Sequence, residues 1–228
     1  MDQFEHLLSP LRIGPINVRN RVLVSAHVPG YAVDNKPGER YIDYHRQFAR
    51  GGVGLQITGG TPVHRSGLLS LAGDGLWNLD DSIVPGYQAL ANAIHREGGR
   101  ILAQLAHSAG TVLTGQPGQV NWSASPFRSR TTGNIPHEMN ADEIQEVVGA
   151  FGSAAGRVAR GNMDGVELLA AFGYLPQAFL SPLSNWRTDN YGGSLENRLR
   201  FTLETLSAIR AGLGEAQVAE LTGATAAA

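Results

Sequence analysis

At 228 residues, with 18 basic against 20 acidic side chains and a net charge of −2, the chain has room for one sizeable core or one large repeated α/β domain. It carries no bulk charge that would draw nucleic acid or an anionic membrane. It has no cysteine, which excludes disulfides, thiolate metal sites, cysteine nucleophiles and iron–sulfur clusters within it.

The opening MDQFEHLLSPLRIG places acidic residues and an early proline where a secretory signal needs a basic end and an unbroken apolar core. No run approaches the roughly 20 apolar residues of a membrane span. The expectation is a soluble, cytoplasmic protein whose partners are small molecules or other proteins. Next, LRIGPINVRN alternates apolar and polar residues around Gly14-Pro15 and predicts a small hairpin. Lys36, the only lysine, stands before Pro37 in a loop, poorly placed for the desolvated amine of a Schiff-base enzyme.

From residue 20 onward one unit recurs. QFARGGVGLQIT, IHREGGRILAQLAH and VARGNMDGVELLA each end a helix on a charged residue and glycine, then start a short apolar run, the pattern of a helix stop followed by a buried strand. With NRVLVSA as the first, strands are predicted near 21–26, 53–58, 100–106 and 164–169. Helices are predicted near 39–50, 82–98, 141–160 and 195–212. In the third helix Ile144, Val147, Val148 and Phe151 keep the i, i+3, i+4, i+7 spacing. In the fourth, Ser194 is a plausible N-cap and Leu195, Leu199, Leu203, Leu206 and Leu213 are expected to share the apolar face.

Four βα units in series imply parallel strands with right-handed crossovers. The helix-to-strand links are short, while the strand-to-helix links, 26–38, 59–81, 107–140 and 170–194, are long. That asymmetry places function at the carboxyl ends of the strands, where a (β/α)8 TIM barrel keeps its active site. A doubly wound sheet obeys a similar rule, but no G-x-G-x-x-G follows any strand. The fold class read here is α/β, about four units of such a barrel, with the hairpin of residues 11–20 as a plug for its amino-terminal mouth. Eight units take roughly 250 residues, so the chain reads as half a barrel.

Several residues fall at the strand ends. They are Ser25, Ala26 and His27, then Thr58, Gly59, Gly60 and Thr61, then Gln104 and His107, and Tyr174 in the fourth loop. Glycine after the second strand either lets a flat ligand approach or serves a turn. Gln104, in a buried-looking run, either pairs with backbone or reads a ligand's donor and acceptor edge. His27, His64 and His107 follow successive strands and raise a metal-dependent hydrolase. However, no H-x-H occurs and no carboxylate shares a ligand spacing with them, so packed or capping histidines are the stronger reading and no metal site is assigned. By its apolar surroundings alone, Tyr174 reads as core.

Taken together, SPLRIGPINVRNRVLVSA, ARGGVGLQITGGTPVH, LAQLAHSAG and DGVELLAAFGYLPQAFLSPLSNWRTDNYGGSLENRLRF resemble the amino-terminal half of the Old Yellow Enzyme, or NADH:flavin oxidoreductase, family, which includes 2,4-dienoyl-CoA reductases. The likeness runs in order from about residue 7 to residue 213. It implies a TIM barrel with FMN across the carboxyl ends of the strands, NADH or NADPH as electron donor, and hydride transfer to an activated alkene or a related amine oxidation. Carried over by position, Ser25, Ala26, His27 and Val28 would face the flavin through backbone. Gly60 would let the ring approach, and Gln104 would bond its pyrimidine edge. Tyr174 would donate a proton to the substrate carbon, which reverses its reading as core. Arg187, Asp189 and Arg198 would lock the fourth loop internally.

Three departures qualify that likeness. Where many members carry a histidine and a second His or Asn that clamp a substrate carbonyl, this chain has Leu169 and Phe172, which cannot donate to an oxyanion. The first strand ends in SAHVPG where relatives have Pro-Met-Thr or Pro-Met-Cys. Residues 1–214 are read as the amino-terminal half of the FMN barrel. In the family a fifth strand would follow Gly214, whereas 215–228 is an Ala- and Thr-rich tail. A non-catalytic half-barrel that self-associates or needs a complementary second half is the rival reading.

Overall fold

Four parallel strands in chain order organise the molecule, whose computed structural model describes residues 4–68, 75–111, 120–130 and 132–214. Along the chain the elements are α1 (Glu5–Leu8), β1 (Leu11–Ile13), β2 (Ile16–Val18), β3 (Leu23–His27), β4 (Ala32–Val33), β5 (Lys36–Pro37), α2 (Glu39–Arg50), β6 (Leu55–Thr58) and β7 (Thr61–Pro62). There follow α3 (Val84–Arg96), β8 (Arg100–Ala106), β9 (Trp122–Ser123), β10 (His137–Glu138), α4 (Ala141–Arg160), β11 (Gly165–Leu168), α5 (Leu175–Leu180) and α6 (Leu195–Leu213). Single 3-10 turns occupy Arg65–Gly67 and Asp81–Ile83.

The sheet runs β3-β6-β8-β11, every pair parallel, with Leu23 opposite Leu55, Leu55 opposite Arg100 and Gly165 opposite Leu102. Spatial order follows chain order without reversal, and α2 packs on α3, α3 on α4 and α4 on α6. All four helices therefore lie on one side of the strands, which is the arc of a (β/α) barrel and excludes a doubly wound sheet.

Alternation along β8 separates two cores. Ile101, Ala103 and Leu105 point out into the main core with Leu90, Ile94, Ile144, Val147 and Phe151, all fully buried. Leu102 points the other way and joins Leu55, Ile57 and the hairpin residues Ile16 and Val18. The antiparallel β1/β2 hairpin, predicted by its alternation and turning at Gly14-Pro15 with Ile13 opposite Ile16, packs on the concave side of the strands. Each such large aliphatic side chain contributes about 1.5–3 kcal/mol by leaving water.

The α2 and α4 helices span the residues expected of them. For α4 the reason is local: Asn140 accepts from the Glu143 amide at 3.0 Å while the Glu143 carboxylate takes the Asn140 amide at 2.8 Å, a reciprocal capping box. Ser194 caps α6 through the Asn197 amide. The leucine face assigned to α6 is corrected, however. Its buried residues are Phe201, Thr205, Ile209 and Leu213, while Leu195, Leu203 and Leu206 are exposed. The aromatic stack of Phe201 on Phe179, centroids 4.4 Å apart, turns the helix so that Phe201 and Ile209 face α4 and α5. The tail at 215–228 lies outside the described residues. No helix among the described residues is long and apolar enough to cross a membrane.

Candidate active site

Parallel register brings the candidate residues to one end of the arc. His27 stands opposite Thr58, Thr61 opposite Leu105, and Leu105 opposite Leu168. The segments Ser25–Val28 and Gly59–Thr61 and the loop from Leu169 therefore leave the carboxyl ends of adjacent strands, with Gln104 two residues short of the end of β8.

At β3 the side chains divide. Ala26 packs toward the concave core, but His27 turns out to α2, where its Nε2 meets Tyr44 OH at 2.8 Å and its ring lies edge-on to Tyr44. Only backbone from this segment remains for a ligand at the mouth, together with the exposed Ser25 and Val28. The β6 end comes very close to it. A Cβ on Gly59 would sit 2.5 Å from the His27 carbonyl oxygen, so this position must be glycine for steric reasons. Gly60, one residue on, is half-buried.

Gln104 shares the concave face with Leu102, one pleat nearer the mouth. Its backbone amide donates to Thr58 Oγ1 at 3.3 Å, and its Nε2 donates to Glu167 Oε1 at 2.5 Å. The partner is thus neither backbone nor absent, but a carboxylate in direct register on β11. Sequence reasoning passed over Glu167. A carboxylate within the apolar run GVELL is as anomalous as the amide in ILAQLAH, and the same demand for a buried partner could have flagged both.

Tyr174 is not core. It is half-buried, and its hydroxyl makes no hydrogen bond among the described residues. Burial raises its pKa above the ordinary tyrosine value. The loop that presents it is pinned at both ends to β8 and its extension, by Leu169 N–H to Leu105 O at 3.0 Å and Leu175 N–H to His107 O at 3.0 Å. Between these pins Phe172 adopts φ 58° and Gly173 φ 81°. A bulky residue in the left-handed region costs about 1–3 kcal/mol, and Phe172 recovers little by burial, being 81 % exposed. Beside it lies a cavity of about 260 Å³ walled by Thr111, Phe127, Ser129, Arg130, Phe172 and Leu183. Leu169 is half-buried.

The histidines are engaged by protein groups. His107 Nδ1 accepts the Ala109 amide at 3.2 Å, which leaves the proton on Nε2 to reach Ser66 Oγ at 2.9 Å. Ser66 in turn meets His64 Nδ1 at 2.7 Å, and His64 Nε2 meets Glu146 on α4 at 3.0 Å. Burial lowers the His107 pKa to about 3, with the nearby His64 adding to the effect. No group of three His, Cys, Asp or Glu able to hold a metal ion occurs among the described residues.

The long polar loop after α5 is a lock. Arg187 is buried and donates Nε to Asp189 Oδ1 at 3.0 Å, Nη2 to Oδ2 at 2.5 Å, and Nη1 to the carbonyls of Ala124 at 3.0 Å and Met139 at 2.6 Å. Asn185 ties Phe179 O to Tyr191 O, and Arg198 bonds Leu180 O at 2.8 Å and Gly193 O. Gly192 passes so close that a Cβ would lie 2.1 Å from the Arg187 carbonyl oxygen. The loop therefore holds the backbone at Ala124 and Met139, and Ser125 between them, against the fourth unit.

At the mouth, Gln104 has hydrogen-bonding capacity left for a flat heteroaromatic edge. Gln104 retains a carbonyl oxygen and a second N–H after bonding Glu167. The comparisons point the same way. The model of the NADH:flavin oxidoreductase / NADH oxidase family matches residues 6–221. The chain is 41 % identical over 215 residues to a metal reductase of Desulforamulus reducens, across 91 % of this chain and 31 % of that protein. It is 37 % identical to the N,N-dimethylglycine/sarcosine dehydrogenase of Chromohalobacter salexigens, across 93 % and 31 %. Among solved structures, a 2-naphthoyl-CoA reductase in complex with 2-naphthoyl-CoA superposes with a TM-score of 0.85 at 31 % identity, over 96 % of this chain and 35 % of that one. The chain spans about a third of the length of these relatives.

Proposed function

The chain belongs to the NADH:flavin oxidoreductase / NADH oxidase family, and on that footing we propose that residues 1–214 form the first half of an FMN-binding barrel that carries out flavin-dependent oxidoreduction. Strands β3 and β11 each have one ladder partner among the described residues, so the barrel closes when further βα units pair with both edges. A half-barrel that associates with itself or with a complementary half is the second reading these open edges favour. The setting is cytoplasmic and the substrate a small molecule, an activated alkene or an amine related to those of its relatives.

FMN, when bound, would supply hydride chemistry between NADH or NADPH and one carbon of a polarised double bond. The chain's own residues do the rest. Backbone from Ser25 to Val28 and the turn at Gly60 would flank the ring, and Gln104 would pair with its pyrimidine edge. Tyr174 holds the proton for the neighbouring carbon, so that hydride and proton together saturate the bond. Leu169 and Phe172 wall the substrate pocket without a carbonyl clamp.

The observation that supports this reading is the half-buried Tyr174 hydroxyl, unpaired among the described residues, on a loop whose two ends are held by Leu169 N–H to Leu105 O and Leu175 N–H to His107 O. Tyr174→Phe in the flavin-loaded enzyme containing this chain should slow oxidation of reduced flavin by an alkene by about 10²–10⁴ fold, the range for one general acid. Flavin reduction by the nicotinamide donor should change little. An unchanged alkene half-reaction removes the assignment.

A further inference from the structure

Glu167 has no part in the reaction proposed above, yet its bond to Gln104 fixes something that reaction needs. A glutamine amide offers two donors and one carbonyl acceptor, and turning it by half a rotation exchanges them. With only apolar neighbours either orientation would serve. Here Nε2 bonds the Glu167 carboxylate at 2.5 Å. The flipped amide would set its carbonyl oxygen against that carboxylate, acceptor against acceptor. The two side chains cannot drift apart to relieve this, because Gln104 and Glu167 are opposite each other in the β8/β11 ladder and Gln104 is further tied through its backbone to Thr58. Gln104 itself is only 7 % exposed.

We infer that Glu167 is a positioning residue, which holds Gln104 in one orientation so that its carbonyl oxygen and second N–H meet a ligand edge offering a donor beside an acceptor. This rests on the reading of Gln104 as the partner of the flavin's pyrimidine ring, whose imide edge presents an N–H flanked by carbonyls. The carboxylate also polarises the amide it binds, which makes the Gln104 oxygen a better acceptor for that imide proton.

The test compares FMN with its N3-methyl analogue, which lacks the imide proton, by fluorescence titration of apoprotein from the enzyme containing this chain. The unaltered protein should prefer FMN by about tenfold, the worth of one such hydrogen bond. In Glu167→Leu, which frees the amide to turn, the preference should fall to nearly one. Glu167→Gln, which keeps the shape but lets both amides turn together, should give an intermediate value. A preference unchanged in both variants overturns the inference, and so does an equal loss of affinity for both flavins, which marks a merely structural residue. Should Glu167→Leu not fold, Glu167→Gln decides alone: a lowered preference supports the role, an unaltered one refutes it. If the unaltered protein binds both flavins equally, the pyrimidine assignment of Gln104 fails, and the inference with it. If the protein prefers FMN and the variants do too, only the inference fails.

Discussion

Replacing Arg187 with alanine should cost about 3–5 kcal/mol of folding stability. The guanidinium makes two kinds of bond that weigh differently. Its fork onto Asp189 is charge-assisted, worth about 1.5–3 kcal/mol where water is excluded, but the Asp189 side chain is 47 % exposed, so water would replace much of it. The Nη1 bonds to Ala124 O and Met139 O lie among residues exposed by 1 % or less. Losing their donor leaves two carbonyls in a place water hardly reaches, at about 1–3 kcal/mol each. Allowing for partial relaxation, the sum falls in the range seen when one partner of a buried charged pair is removed. Urea denaturation followed by tryptophan fluorescence would read the change as a shift of midpoint at constant slope. Arg187→Lys should recover less than half, since an ammonium cannot fork onto Asp189 and span both carbonyls at once. A loss below about 1 kcal/mol for the alanine variant would refute the reasoning, because it would mean that the loop does not depend on its arginine.

Two further outcomes are expected. His45 and His107 are buried neutral, with pKa lowered by burial to about 4 and about 3. The unfolded chain binds their protons below about pH 6.5. Their stabilising effect is therefore complete above that pH and is lost as pH falls towards their folded values, at about 2 kcal/mol per histidine by pH 5. Denaturation at pH 7 and pH 5 checks this, and His107→Gln should flatten the dependence. Converting Leu169 and Phe172 to histidine should raise turnover of small cyclic enones by at least tenfold, since one polar contact can shift discrimination by orders of magnitude. Steady-state assays with cyclohexenone check it, and an enzyme already fast on such compounds would contradict it.

What could be read in the sequence and what could not divide along a physical line. Strand β8 and helices α2 and α4 have the expected bounds, because each is decided by nearby residues: a glycine after a charged residue, a capping box, a 3.6-residue period. The buried face of α6 differs from the expected one because two faces both carry aliphatics. What chooses between them is a tertiary contact, the stack of Phe201 on Phe179 of α5, to which a period count is blind. The site shows the same limit. Its location at the carboxyl ends was legible from loop lengths, and Gln104 was legible as an anomaly in an apolar strand. Its partner was not, because Glu167 is 63 residues away and meets it only once β8 and β11 are in register. A lone polar residue in a strand states a need. The register of the next strand supplies the answer, so a carboxylate at the matching pleat of a parallel neighbour is the place to look for it.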